Sequence, residues 1–377
     1  MSRSDSESGR TTAIIMPMQY RQGPGVIREL PEAVARFGER AQALVVATSG
    51  GLERLGEPLL ADWRAKGMRA RFAEFGGECS EAEIGRLRTE AESCRASVIV
   101  GIGGGKLLDA AKSAAYRLEL PVIIAPTIAS SDAPCSALSV IYDEQGRVAK
   151  LETHPHNPDV VLVDTEVILQ APLRYLAAGM GDALATAPEA LACLRGGGRT
   201  ILGAYPTRLG TAAAELCGRI LEADGVQAYA DAGRGERTEA FERVVEANTL
   251  LSGIGFESGG LAAAHSLHDG LTELPECHHL LHGEKVGFCT AVQATLLGEP
   301  DETARFLTFC RQIGLPATLA EAGLRQTGAE LRGKLLVAAE RALAPEETIH
   351  QIGRTFTAAE IADAFEETDR IARRLFA

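Results

Sequence analysis

Short, unbroken apolar runs recur through the first 165 or so residues: Ala43–Ala47 (ALVVA), Ser97–Val100 (SVIV), Val122–Ala125 (VIIA) and Val160–Val163 (VVLV). Runs without polar alternation predict strands buried on both faces, as in a parallel sheet covered by helices. Helical stretches lie between them, one near Leu52–Lys66 after a Gly-Gly turn. Strand and helix in regular alternation predict a doubly wound α/β domain.

The texture changes after Asp164. From Gln170 onward the chain is rich in Ala, Leu and Glu at helical spacing and strand signals nearly vanish, with examples at Thr211–Ala223, Ala240–Leu251 and Ala358–Leu375. Gly196–Gly198 reads as a loop and Ala230–Thr238 as a polar connection between helices. The expected organisation is a polar tail at 1–12, an α/β dinucleotide-binding domain at 13–166 and an all-α metal- and substrate-binding domain at 167–377.

Composition narrows the function. The 377 residues include 51 acidic and 38 basic ones, for a net charge of −13. That balance argues against a nucleic-acid surface, which needs clustered Lys and Arg, and against an anionic membrane. The start, MSRSDSESGRTT, lacks the apolar segment of a signal peptide, and no apolar run reaches the ~20 residues of a membrane span. The eight Cys are scattered without a C-x-x-C pair, so neither a disulfide scaffold nor a Cys-rich zinc site is expected and most should be small buried hydrophobes. A cytoplasmic protein is expected.

Two segments carry chemistry. In SVIV-GIGGGK-LLDAAK a strand runs through a glycine turn into a helix. Such a turn lets backbone approach a ligand, and the helix N-terminus offers N–H groups and positive dipole to phosphate. Leu107 stands where a Walker A loop needs Ser or Thr, and Lys106 where the dinucleotide fingerprint needs Gly, so a tight turn and a diphosphate cradle both remain open. Second, five of the eight His lie between His265 and His282. His265 and His268, three apart, face one side of a helix, and His278, His279 and His282 follow in CHHLLHGEKV. Clustered imidazoles suit a divalent metal with a carboxylate as complement, and Asp182 in GMGDALAT offers one, unless it only caps a helix. One of His278, His279 and His282 is the expected ligand from that loop. By themselves Asp132, Ser130, Ser131 and Ser136 read as turn residues, and Glu284 and Lys285 as a solvated pair.

Read together, FGGECS, GIGGGKLLDAAK, APTIASSDAPCSALSVIY, NPDVVLVDT, AAGMGDALAT, VEANTLLSGIGFESGGLAAAHSLHDGLT, HHLLHGEKV and ETIH resemble the glycerol dehydrogenase family. That family sits within the iron-type alcohol dehydrogenase and dehydroquinate synthase-like superfamily. The matches run from about Phe75 to His350. The resemblance implies a nucleotide-binding α/β domain followed by a helical domain, and a zinc enzyme passing a hydride from the secondary hydroxyl of glycerol to NAD, giving dihydroxyacetone. By position it implies Asp182, His265 and His282 as metal ligands that also hold the substrate. Gly104, Gly105, Lys106, Thr127, Ser136, Leu138, Tyr142 and Thr48 then contact the cofactor. Asp132 touches the polyol, which reverses its turn-only reading. Proton release is expected through ordered water or His268. Relatives assemble as homo-oligomers, often octamers, and the same is expected here.

Departures from the pattern matter. Thr48 stands where relatives usually carry the Asp that binds the adenosine ribose, so NADP is also admissible. Leu151 replaces a Tyr near the substrate, and Ala187-Pro188 replaces a bulkier aromatic pair. Another 1,2-diol or a 2-hydroxy acid is therefore an alternative substrate. The iron-dependent branch carries a further His where this chain has Thr186, which favours zinc, and the cyclases use Glu in place of Asp182. A metal-dependent lyase or cyclase, or a descendant that only binds nucleotide, are the competing readings.

Overall fold

The computed structural model describes residues 10–144 and 146–377, so most of the polar tail expected at 1–12 lies outside the described residues. The chain divides into two compact units. One comprises Met16–Pro172 and Ala232–Gly253; the other comprises the described residues up to Ile15, Leu173–Asp231 and Ile254–Ala377.

The first unit is built on a six-stranded parallel sheet. Its strands are β1 (Gln19–Gly23), β2 (Gln42–Ala47), β3 (Arg69–Glu74), β4 (Val98–Gly103), β5 (Val122–Pro126) and β8 (Val160–Asp164), in the order β1-β8-β5-β4-β2-β3. Every apolar run expected to be a strand is one, and β4, β5 and β8 are buried along their whole length. The edges β1 (QYRQG) and β3 (RARFAE) carry polar, partly exposed residues. Polar edges discourage pairing with another chain. A separate antiparallel pair joins β6 (Leu138–Tyr142) to β7 (Val148–Thr153).

The crossover helices are α1 (Leu30–Ala35), α2 (Ser49–Ala65), α3 (Glu81–Ser93) and α4 (Gly105–Arg117), and α5 (Thr165–Leu169) follows the last strand. From β2 the chain steps to β3 on one side, and β4 then pairs on the other side of β2, with Ala47 beside Ile102. The loops leaving β2 and β4 thus diverge at a topological switch point, where open α/β sheets bind ligands. α8 (Glu239–Glu246) and a π-helical turn, Ala247–Leu251, belong to this unit too.

The helical part of the chain comprises α6 (Leu173–Gly196), α7 (Arg208–Gly233), α9 (Ser252–Gly259), α10 (Ala263–Thr272), α11 (His282–Leu296), α12 (Pro300–Gln312), α13 (Gly328–Ala342) and α14 (Ala358–Leu375). α11 is buried nearly all round, against α6, α10, α12 and α14. α7 runs to Gly233, so the polar connection expected from Ala230 begins inside a helix. Glycine governs the approach of α6 to α11: a Cβ on Gly181 would lie 2.2 Å from the Gly283 carbonyl oxygen, and one on Gly283 would lie 1.8 Å from that of Ala178. No described helix is long and apolar enough to cross a membrane. All eight Cys are free, and seven are buried.

Candidate metal centre and nucleotide loop

The glycine contact just described sets Asp182 of α6 beside His282, the first residue of α11. Asp182 Oδ1 lies 3.1 Å from His282 Nε2 and 3.5 Å from Nε2 of His265, on the first turn of α10. One ligand atom from each of Asp182, His265 and His282 can be chosen so that all lie within 4.8 Å of one another. Asp182 is buried, His265 partly so and His282 is the exposed member. Burial opposes the charge of Asp182, but His282 and His265 beside it hold its carboxyl well below the usual range.

Both imidazoles are held from behind. His265 Nδ1 lies 2.5 Å from Glu189 Oε2. His282 Nδ1 lies 3.0 Å from His268 Nε2, whose Nδ1 lies 2.9 Å from Asp269 Oδ1. Burial first, and then the His282 charge, push His268 down to about 3, so it is neutral near pH 7. His278 and His279 are exposed and turn a ring nitrogen to the carbonyl oxygens of Thr272 and Glu276. Of the three histidines in that loop, only His282 joins the cluster. Glu284 and Lys285, expected to be solvated, are buried. The Arg174 guanidinium donates twice to the Glu284 carboxylate, at 2.5 and 2.6 Å, while Leu281 N–H donates to Glu284 Oε2. These bonds pin the start of α11 and with it His282.

In the α/β unit, β4 ends at Gly103 and Gly104 forms an N-cap without a side-chain bond, leaving first-turn N–H groups of α4 without a cap. A Cβ on Gly103 would meet Leu107 at 2.8 Å, one on Gly104 would meet Ile128 at 2.9 Å, and one on Gly105 would find nothing nearer than 3.9 Å. Lys106 pairs with Glu78 at 2.6 Å and lies over the Tyr142 ring. Thr127 N–H donates to the Gly103 carbonyl oxygen. Thr48 caps α2, its hydroxyl accepting from Gly51 N–H at 3.0 Å.

The loop carrying Asp132, Ser136 and Leu138 is gathered by one buried cation. Lys112 Nζ donates to the carbonyl oxygens of Ala133, Ser136 and Leu138 and to Ser136 Oγ, and pairs with Asp109 at 2.9 Å. The Ser136 side chain is therefore buried against Lys112. On the far side of the loop, Ser252 Oγ donates to Asp132 Oδ2 at 3.1 Å, and Asn248 of the π-turn donates to the Ala129 carbonyl oxygen. Lys112, Ser252, Asn248, Glu189 and Asp269 were not singled out from the sequence. Lys112 sits inside the GIGGGKLLDAAK stretch, and Glu189 lies seven residues after Asp182 on the same helix face, so both had a readable signal.

A parallel sheet whose strand order reverses beside an uncapped glycine loop defines a doubly wound α/β architecture, and the helical part carries an Asp–His–His cluster that could hold a metal ion. Residues 17–165 match the family described as iron-containing alcohol dehydrogenase. Over 359 residues the chain is 45% identical to a glycerol dehydrogenase of Escherichia coli, covering 95% of this chain and 96% of that one. It is 46% identical over 363 residues to the glycerol dehydrogenase of Thermotoga maritima, covering 96% and 98%. The crystal structure of glycerol dehydrogenase from Schizosaccharomyces pombe superposes with a TM-score of 0.92 at 36% identity, covering 97% of this chain and 92% of that one. The chain belongs to the iron-containing alcohol dehydrogenase family, whose glycerol dehydrogenases it resembles along nearly its whole length. It is an oxidoreductase of the alcohol dehydrogenase type.

Proposed function

We propose that this chain is a zinc- and NAD-dependent dehydrogenase that removes a hydride from the secondary hydroxyl of glycerol, or of a similar 1,2-diol, to give dihydroxyacetone. The observation that carries this reading is the convergence of Asp182, His265 and His282. Two imidazoles and one carboxylate form a set that suits zinc with positions left for substrate, and the Asp182 charge favours a cation there. The uncapped start of α4 and the open space at Gly105 fit the pyrophosphate of a dinucleotide. Bound zinc would supply the Lewis acidity that eases loss of the hydroxyl proton, and the nicotinamide would accept the hydride.

The chain's own residues bind and orient. Asp182, His265 and His282 hold the cation, and Asp132, steadied by Ser252, accepts from a polyol hydroxyl. Gly104, Gly105 and Lys106 meet the dinucleotide, with Thr127, Leu138 and Tyr142 alongside. Thr48 brings no carboxylate to the end of β2, so a 2′-phosphate meets no repulsion from that position and NADP is admitted as well. The released proton leaves through ordered water or through His268, which is bonded to His282.

The test is the glycerol-dependent rate of NAD reduction before chelation, after it and after zinc is returned. Activity lost and then restored supports the reading. Zinc binding without glycerol oxidation rejects glycerol and moves the search to other diols, 2-hydroxy acids and NADP. Turnover of a substrate without NADH accumulation indicates a lyase or cyclase on this fold.

A further inference from the structure

Glu189 lies on α6 at the far end of His265 from Asp182, fully buried. Its carboxylate makes three bonds. Oε1 accepts the backbone N–H groups of Ala262 and His265, at 3.0 and 3.1 Å, and Oε2 lies 2.5 Å from His265 Nδ1. α10 needs this help, because its N-cap is Ala262, which has no side chain to cap with. Gln293 Oε1 completes the task by accepting from Ala263 and Ala264 N–H, at 2.7 and 3.0 Å.

We propose that Glu189 is a positioning residue for the metal centre: it holds the Nδ1 proton of His265 and so turns Nε2 towards Asp182, as the atom that ligates when a cation binds. Carboxylate oxygens accept hydrogen bonds, and Oε1 of Glu189 is already taken by two backbone donors, which leaves Oε2 to the ring. The contact with Oε2 therefore calls for a donor at Nδ1, which leaves Nε2 as the ring atom available to a cation on the side where Asp182 and His282 converge. A partner of this kind fixes ring orientation and raises ligand basicity. The inference rests on the reading that Asp182, His265 and His282 hold a divalent cation.

Glu189→Gln separates the two tasks of the side chain. Its amide oxygen can still accept from Ala262 and His265 N–H, preserving the cap of α10. Its NH₂ then faces Nδ1 as a donor, which moves the ring proton to Nε2 and blocks the metal-facing atom. Metal-free wild type and variant are titrated with zinc against a chromophoric chelator, with thermal unfolding of each metal-free protein as the control. The expected result is zinc affinity about 10–100-fold weaker in Glu189→Gln, with a nearly unchanged unfolding midpoint. The same substitution made on a His265→Ala background should cost no further affinity. A folded Glu189→Gln with wild-type zinc affinity, or an equal further loss on that background, overturns the proposal. Failure of the wild type to bind zinc overturns the metal reading itself and this inference with it. If Glu189→Gln does not fold, ¹⁵N-histidine spectra of zinc-loaded wild type decide the matter. A proton on His265 Nδ1 supports the proposal, and a metal-bound or bare Nδ1 refutes it.

Discussion

Gly283→Ala tests whether the backbone contact between α6 and α11 sets the spacing of the proposed metal ligands. The added Cβ would lie 1.8 Å from the Ala178 carbonyl oxygen and 3.0 Å from the Asp182 nitrogen, and the obstacle is backbone, not a side chain that could swing away. Real Cβ atoms essentially never come within 3.0 Å of such an atom, so the two helices must separate by more than about 1 Å. Overpacking of this kind costs about 1–3 kcal/mol, or roughly 2–12 °C in unfolding midpoint for a unit of this size. The same separation pulls His282 from Asp182, 3.1 Å apart now. Misplacement by about 1 Å can cost around 10²-fold in rate. Zinc affinity by chelator competition and kcat/KM should therefore fall together. Gly333→Ala on α13, where an added Cβ meets nothing within 4 Å, is the matched control. It should stabilise by about 0.5–1 kcal/mol and leave zinc affinity alone. A folded Gly283→Ala protein with wild-type zinc affinity would refute the argument that this contact sets the site.

Three other perturbations address the α/β unit. Lys112→Met strands the buried Asp109 carboxylate and releases the loop from Ala133 to Leu138, so stability should fall by about 3–5 kcal/mol in urea unfolding. KM for the dinucleotide should rise more than kcat falls, and an unchanged KM would show that the loop does not depend on Lys112. Burial, then the Lys112 charge, push His154 down to about 3 from an ordinary 6.5. Between those values the unfolded chain binds a proton that the folded one refuses, so stability drains away as pH falls through that window. His154→Gln should remove on the order of 2 kcal/mol of the loss, allowing for partial solvation, and parallel stability–pH curves for the two proteins would contradict this. Thr48→Asp keeps a cap on α2, since Asp caps as well as Thr, but adds charge at the ribose end of the site. The preference for NAD over NADP in steady-state rates should rise about tenfold or more, and an unaltered ratio would place the ribose elsewhere.

What could be read from the sequence follows burial. β2, β4, β5 and β8 announce themselves because both faces are covered and nearly every residue is apolar. QYRQG and RARFAE conceal β1 and β3 because edge strands must show polar groups to water. Helical spacing marked Ala240–Leu251 correctly as helix, yet periodicity reports only that a helix has an apolar face. It could not show that residues 232–253 join the α/β unit. Residue type and clustering offered Asp182 and the five His between His265 and His282; the family resemblance singled out Asp182, His265 and His282, and the structure brings these three together. Glu284 was misread because its sequence position says nothing of a partner more than a hundred positions away, here Arg174, and Lys285 because local charge does not show that α11 is buried nearly all round.

The same distance in sequence explains why Glu189 is hard to see and why the site and the fold are coupled. α10 begins at residues that cannot cap it, so its first N–H groups are satisfied by Glu189 and Gln293 from α6 and α11. α6 also carries Asp182, and α11 also starts with His282. The groups that cap α10 therefore lie on the same helices as two of the three candidate ligands, and the third, His265, sits on α10 itself. The two imidazoles reach one orientation by different means: His265 through a carboxylate, His282 through neutral His268 backed by Asp269. A carboxylate polarises its imidazole more strongly than a neutral ring does. On the proposed metal reading, His265 would accordingly be the stronger electron donor of the two, and His282, the exposed member, the one with room to adjust when a substrate hydroxyl enters.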